Sequence, residues 1–196
     1  HNTIALLTLP PSLVDELGRK ATTESPDANA TLADWLAMNT AWRIDPAGAR
    51  GAGLCIGQST HRSATRESRT GEFVGLHLDS WDCLPLDRRH DAQNRICVNL
   101  GRHPRALQFV PLPIAEVSRR LRAMETRIDG DPVSARPAIV ERYLHRCQDQ
   151  PVLRVRLAPG QAYIAPTENL VHDGCLLKDG QDVTYVYRGR LVPQVT

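Results

Sequence analysis

The chain has 196 residues, 41% of them hydrophobic and 23% charged, and its 24 basic and 22 acidic side chains leave a formal charge of +2. That size and balance suit one globular domain and exclude a disordered chain, a collagen-like repeat and a coiled coil. The charge is too even to point to a nucleic-acid partner, and no apolar run approaches the roughly 18 residues of a membrane span.

Among the basic residues only Lys20 and Lys178 are lysine. A GC-rich coding bias accounts for this most simply, although guanidinium groups also grip carboxylates with paired hydrogen bonds. The cysteines, Cys55, Cys83, Cys97, Cys147 and Cys175, are odd in number and contain no CxxC pair. Neither a disulfide framework nor a zinc knuckle is expected. With no charged-then-apolar leader at the start, the cytoplasm is the expected compartment.

Pro10-Pro11-Ser12 introduces a short amphipathic helix over Leu13–Leu17, and Asn29-Ala30-Thr31 caps a second, with Leu32, Trp35, Leu36 and Met38 as its apolar stripe. The stretch from Asp45 to Gly57 is rich in Gly and Ala, and the polar, basic run from Ser59 to Thr70 reads as a mobile loop or lid. Strand patterns then cover Glu72–Leu78, Arg95–Leu100 and Ala106–Val110, the last two paired around Gly101-Arg102-His103-Pro104. From Ile114 to Cys147 the spacing is helical in two pieces separated by Asp129-Gly130-Asp131-Pro132. Strands return at Val152–Leu157, at Gln161–Ile164 after the Pro159-Gly160 turn, and at Asp182–Val192 after a hairpin at Asp179-Gly180.

The chemistry centres on Leu76-His77-Leu78-Asp79. On a strand, residues two apart share a face, so His77 and Asp79 point the same way. His172, in Val171-His172-Asp173-Gly174, supplies a third ligand. Two imidazoles and a carboxylate fill one face of an octahedron and leave the other open, as in non-haem iron(II) oxygenases. An HxD tripeptide alone is weak, and without His172 the pair would read as a structural hydrogen bond.

These residues, together with Pro159 to Gly174, resemble the Fe(II)/2-oxoglutarate-dependent dioxygenase superfamily. Its members set HxD on an early strand of a double-stranded β-helix and a second His near the end. The resemblance, which covers about Gly71 to Leu191, implies a mainly β fold with flanking helices, jelly-roll or cupin-like, and the length suits one domain over 1–196. Residues 1–70 form a helical lead-in and loop, and 71–191 the β-helix core with a helical insertion over 114–147. It implies Fe(II) on His77, Asp79 and His172, 2-oxoglutarate as cosubstrate, and O2. The reaction implied is hydroxylation or another oxidation of an unactivated carbon in a small molecule, an amino-acid derivative or biosynthetic intermediate, with no nucleic-acid or membrane partner. Asp79 disfavours halogenation, since halogenating members carry a small residue there.

The family also places a basic residue on the strand after the distal His to anchor the far carboxylate of 2-oxoglutarate. Arg188 and Arg190 share one strand face there, and the spacing from His172 favours Arg188. Position 190 is Arg, so the Arg-x-Ser variant is absent. Arg95 and Asn99, in phase with Cys97, are further contacts to 2-oxoglutarate or substrate, or else ordinary sheet residues facing solvent. Trp81 and Asp82 follow the ligands directly and are the candidate substrate contacts; Asp82 with Asp87 would suit a cationic substrate. His61, His90, His103 and His145 have no matching partners. Two other classes stay open: a cupin-like metalloenzyme that does not use 2-oxoglutarate, and a non-enzymatic β-barrel binding module for anionic ligands or RNA.

Overall fold

The computed structural model describes residues 3–21, 26–67, 69–125 and 136–193. Its elements are β1 (Ala5–Thr8), α1 (Pro11–Lys20), α2 (Pro26–Asn39), β2 (Trp42–Ser59), a 3-10 turn over Leu86–Asp91, β3 (Asn94–Asn99), β4 (Arg105–Pro113), α3 (Ile114–Glu125), α4 (Arg136–Arg146), β5 (Leu153–Leu157), β6 (Gln161–Ala165), β7 (Leu170–Leu176) and β8 (Gly180–Pro193). The strands make two antiparallel sheets, a larger one ordered β1-β6-β3-β8-β2 and a smaller one ordered β5-β4-β7.

Side-chain alternation sorts the apolar residues into three layers. Ile96 and Val98 of β3, Ala162 and Ile164 of β6, and Tyr185 and Tyr187 of β8 face α1 and α2, which cover them with Leu13, Leu17, Leu32 and Leu36. Cys97, Tyr163 and Val186, on the opposite face of those strands, meet Leu107, Phe109, Leu157 and Leu170 between the sheets. Beyond the smaller sheet, Val110 and Val171 pack against Val117 and Leu121 of α3 and Ile139, Val140 and Tyr143 of α4. Leu36 has no exposed surface. Leu36→Ala is expected to cost about 2–5 kcal/mol, read as a lower denaturation midpoint in urea. No helix among the described residues is long and apolar enough to cross a membrane.

Several expectations change. Asp45 to Gly57 is strand, so the helical lead-in and loop assigned to 1–70 contains part of the larger sheet: β2 pairs with β8 along its length, interrupted by register shifts between Asp45 and Arg50 and between Gly51 and Gly53. Glycine weakens a strand but admits bulges, and Gly53 sits at one with φ +75°. Conversely, Glu72–Leu78 forms only the isolated bridges Arg66↔Phe73 and His77↔His172. Gly71 and Gly75, at φ +72° and +73°, break the extended run on either side of Phe73.

β3 and β4 are not a hairpin, nor are β7 and β8; in each case the turn carries the chain from one sheet to the other. At the first crossing, the Asn99 side chain accepts from the Gly101 N–H at 3.0 Å and donates to the His103 carbonyl at 3.0 Å, bending the chain out of the larger sheet. Helix α2 begins at Pro26 rather than after Asn29, and Asn29 instead receives the Tyr185 hydroxyl. Met38, placed on the apolar stripe by its spacing, is 77% exposed. The Asp129-Gly130-Asp131-Pro132 separator lies outside the described residues.

Candidate metal centre

The inner face of β7 presents Leu170, His172 and Gly174, while Val171 is driven into the α3–α4 layer behind it. His77 docks beside this strand through reciprocal 2.9 Å hydrogen bonds with the His172 backbone, which sets the two rings 4.7 Å apart at 45°. Asp79 follows, its N–H donating to the Thr167 carbonyl at 3.1 Å. Asp79 Oδ1 then lies 3.7 Å from His77 Nε2, and Oδ2 lies 3.6 Å from His172 Nε2. One ligand atom from each residue falls within 4.8 Å of the others. The trio expected from the sequence converges.

Three observations suit the trio to a metal ion. His77 Nδ1 lies 2.7 Å from the Gly75 carbonyl and His172 Nδ1 lies 3.0 Å from that of Leu170. Each Nδ1 therefore carries the proton, leaving the Nε2 lone pair toward Asp79. Second, His172 Nε2 is buried without a hydrogen-bond partner among the described residues, which is costly unless something else occupies that lone pair. Third, burial pushes His172 down to about 4, so the ring is neutral at ordinary pH. Burial also opposes the Asp79 charge, but His77, His172 and Arg95 overcome it and hold the carboxyl well below its usual range. His77 follows the same contest: burial pulls it down, and the nearby Asp79 carboxylate and the Gly75 carbonyl carry it above the usual imidazole value.

Arg95 connects this centre to a cavity of about 430 Å3 between the sheets: its Nη1 donates to Asp79 Oδ2 at 3.4 Å, and its side chain lines the cavity. Arg105, Tyr163, Thr184 and Asp182 also line the cavity. Arg105 is 4% exposed. It donates to Cys97 Sγ at 2.7 Å and to Asp182 Oδ2 at 3.2 Å, while its Nε has no hydrogen-bond partner among the described residues. Burial keeps the Tyr163 phenol well above its usual range, hence protonated and able to donate. Ala64, Thr65 and Arg66, within the Ser59–Thr70 run expected as a mobile loop or lid, line the cavity. The Ala64 N–H donates to the Gly174 carbonyl at 2.6 Å, and Thr65 Oγ1 donates to Asp173 Oδ1 at 2.7 Å.

Gly174 is glycine for a steric reason. A Cβ there would lie 2.5 Å from Arg105 Nη2, and Arg105 is already held by Asp182 and Cys97. Gly174→Ala is therefore expected to destabilise the chain by about 1–3 kcal/mol and to displace Arg105, checked by the urea midpoint and by ligand affinity at the cavity.

The other residues singled out from the sequence sit differently. Arg188 does not line the cavity; its guanidinium stacks over Trp81 at 4.5 Å, with Arg95 at 5.7 Å from the same ring. Arg190 is exposed and donates to the Asp91 carbonyl at 2.8 Å. The Asn99 side chain is hydrogen-bonded within its turn and to the Leu157 carbonyl. Asp82 Oδ2 accepts the Gln93 N–H at 2.8 Å, which makes it a loop tie rather than an open acidic contact. Trp81 is 37% exposed beside the metal ligands. Sequence reasoning missed Arg105, one residue before the expected strand at Ala106. It also missed the fully buried ion pair of Arg89 and Glu168, at 2.7 Å. Nothing local marks either one, since the partners lie far apart in sequence.

No family model matches the sequence, and no curated protein does so either. Solved structures match. The apo form of the Kdo hydroxylase KdoO, a non-heme Fe(II) alpha-ketoglutarate-dependent dioxygenase, has a TM-score of 0.50 at 11% identity, over 96% of this chain and 80% of that one. Its cobalt(II) complex gives the same TM-score of 0.50 at 11% identity, again over 96% and 80% of the two chains. The fold is a double-stranded β-helix. More distant is the epimerase SnoN from nogalamycin biosynthesis, with a TM-score of 0.42 and 14% identity over 99% of this chain and 82% of that one.

Proposed function

We propose that this chain is an Fe(II)- and 2-oxoglutarate-dependent oxygenase. Its substrate is a small molecule oxidised at an unactivated carbon, an amino-acid derivative or biosynthetic intermediate. The observation that carries the reading is His172 Nε2, buried and without a hydrogen-bond partner among the described residues, facing a carboxylate that also reaches His77. Iron(II) held there with 2-oxoglutarate would supply an oxidant strong enough for C–H bonds, at the expense of dioxygen and of the oxo acid, which leaves as succinate and carbon dioxide.

The protein's part is holding and orienting. His77 and His172 give neutral nitrogen ligands, Asp79 gives the one anionic ligand, and Arg95 fixes the Asp79 carboxylate from behind. The far carboxylate of the oxo acid is assigned to Arg105 in place of Arg188, because Arg105 lines the cavity as a buried arginine and Arg188 does not line it. Tyr163 and Thr184 add hydroxyl donors there. Trp81, with Arg188 stacked on it, borders the centre as the substrate-side wall.

A metalloenzyme that does not take 2-oxoglutarate is the second reading, favoured by one observation: Asp182 already offsets the Arg105 charge. An anaerobic iron(II) titration followed in the visible, with and without 2-oxoglutarate, separates the two. A charge-transfer band that needs both components is the expected result. Iron binding without that band would support the second reading, and no stoichiometric iron binding would overturn both.

A further inference from the structure

Asp79 is not on a regular strand. The segment before it touches the sheet only at the His77 bridge, and the bends and turns after it carry no ladder until β3. A ligand on such a loop needs another source of rigidity, because metal affinity depends on donors held at fixed positions. The loop does bear the mark of being held. Cys83, at φ +54°, is in the left-handed region, where a non-glycine residue persists only if its surroundings impose it.

What holds it is the ion pair of Arg89 and Glu168, whose side chains are both 0% exposed. Glu168, on the turn between β6 and β7, uses both carboxylate oxygens. Oε2 receives Arg89 Nη1 at 2.7 Å, and Oε1 receives the Asp82 N–H at 2.8 Å. Arg89 Nη1 also reaches the Asp79 carbonyl at 3.4 Å and the Glu168 carbonyl at 3.5 Å. The ligand loop is thus fastened at Asp79 and at Asp82 to the turn that leads into His172. A buried ion pair is seldom worth its desolvation for stability alone, which leaves a geometric role open to it.

We infer that Arg89 and Glu168 are positioning residues for the metal centre: they fix the Asp79 loop against the His172 turn and thereby set metal affinity and ligand geometry. This rests on the metal reading of His77, Asp79 and His172. Neither residue touches the ion; each acts through Asp79.

The probe is cobalt(II), titrated into the full chain with its visible ligand-field bands recorded. Glu168→Gln keeps the shape but cannot accept from both Arg89 and the Asp82 N–H. It is expected to weaken cobalt(II) binding by about 10–100-fold, the range for partners behind metal ligands, and to shift the bands, in protein still folded by circular dichroism. Unchanged affinity and bands in a folded but less stable variant would overturn the inference and leave the pair a folding staple. Should Glu168→Gln not fold, the wild-type chain decides through hydrogen exchange, since coupling between two sites is reciprocal. Saturating cobalt(II) should slow exchange of the Asp82 amide at least tenfold while leaving the exposed His61 amide unchanged, and equal rates at Asp82 would overturn the inference. Failure of the wild type to bind cobalt(II) is a distinct outcome, because it removes the metal site itself and the inference with it.

Discussion

Asp79→Asn is expected to abolish stoichiometric iron(II) binding while the chain stays folded. The amide keeps the carboxylate's size and one oxygen acceptor, so packing against His77 and His172 survives. The charge is what disappears, and with it the one anionic donor beside two imidazoles, of which His172 is held neutral by burial. The loss should exceed the roughly 10–100-fold caused by removing a partner behind the ligands. Because Asp79 is also the carboxylate that faces Arg95 at 3.4 Å, a stability loss of about 1–3 kcal/mol should accompany the change. Metal content after anaerobic loading and gel filtration checks the first effect, and urea denaturation the second. Retention of one iron per chain in Asp79→Asn would end the assignment.

The second large effect concerns the cavity. Arg105→Met alone would leave Asp182 buried beside an uncharged neighbour, a penalty of about 3–5 kcal/mol for a broken buried pair, and any loss of affinity would be confounded by misfolding. The cleaner variant is Arg105→Met with Asp182→Asn, which removes both charges together. It is expected to raise the dissociation constant for 2-oxoglutarate at least about 10-fold, the equivalent of one charge-assisted hydrogen bond, with iron affinity nearly unchanged. Arg188→Met, which removes the stack on Trp81 at a residue that does not line the cavity, is expected to change 2-oxoglutarate affinity less than about threefold, a difference well under 1 kcal/mol. The charge-transfer titration measures all three proteins. A large loss in Arg188→Met with none in the double variant would return the anchor to β8.

That exchange of arginines shows how far a linear reading reaches. Arg188 and Arg190 were legible as cations on one strand face, and both lie on β8 in phase with Val186 and Thr184, as the alternation requires. Position along β8 decides which arginine meets a cavity, and that depends on where β4 lies across the gap. β4 lies there because the chain crosses between sheets after Asn99 instead of folding back on β3. A turn pattern is the same for a hairpin and for a crossing, since both need a tight reversal. Only the apolar faces of all the strands together choose between them.

Taken alone, the sequence determined what is local or periodic: the helical spacing of Ile114, Val117 and Leu121, the turn at Pro159-Gly160, and the pairing of His77 with Asp79 in an HxD. It also determined the mainly β class. The tertiary structure decided what depends on neighbours distant in the chain. It made a Gly-rich stretch into a strand because β8 supplied a partner for its hydrogen bonds. It turned Asn99 and Asp82 into loop ties, and it brought Arg105 to Asp182 and Arg89 to Glu168. The physical reason is common to all of these. A polar group's role is set by which donors, acceptors and charges surround it once water is excluded, and spacing along the chain does not encode that company.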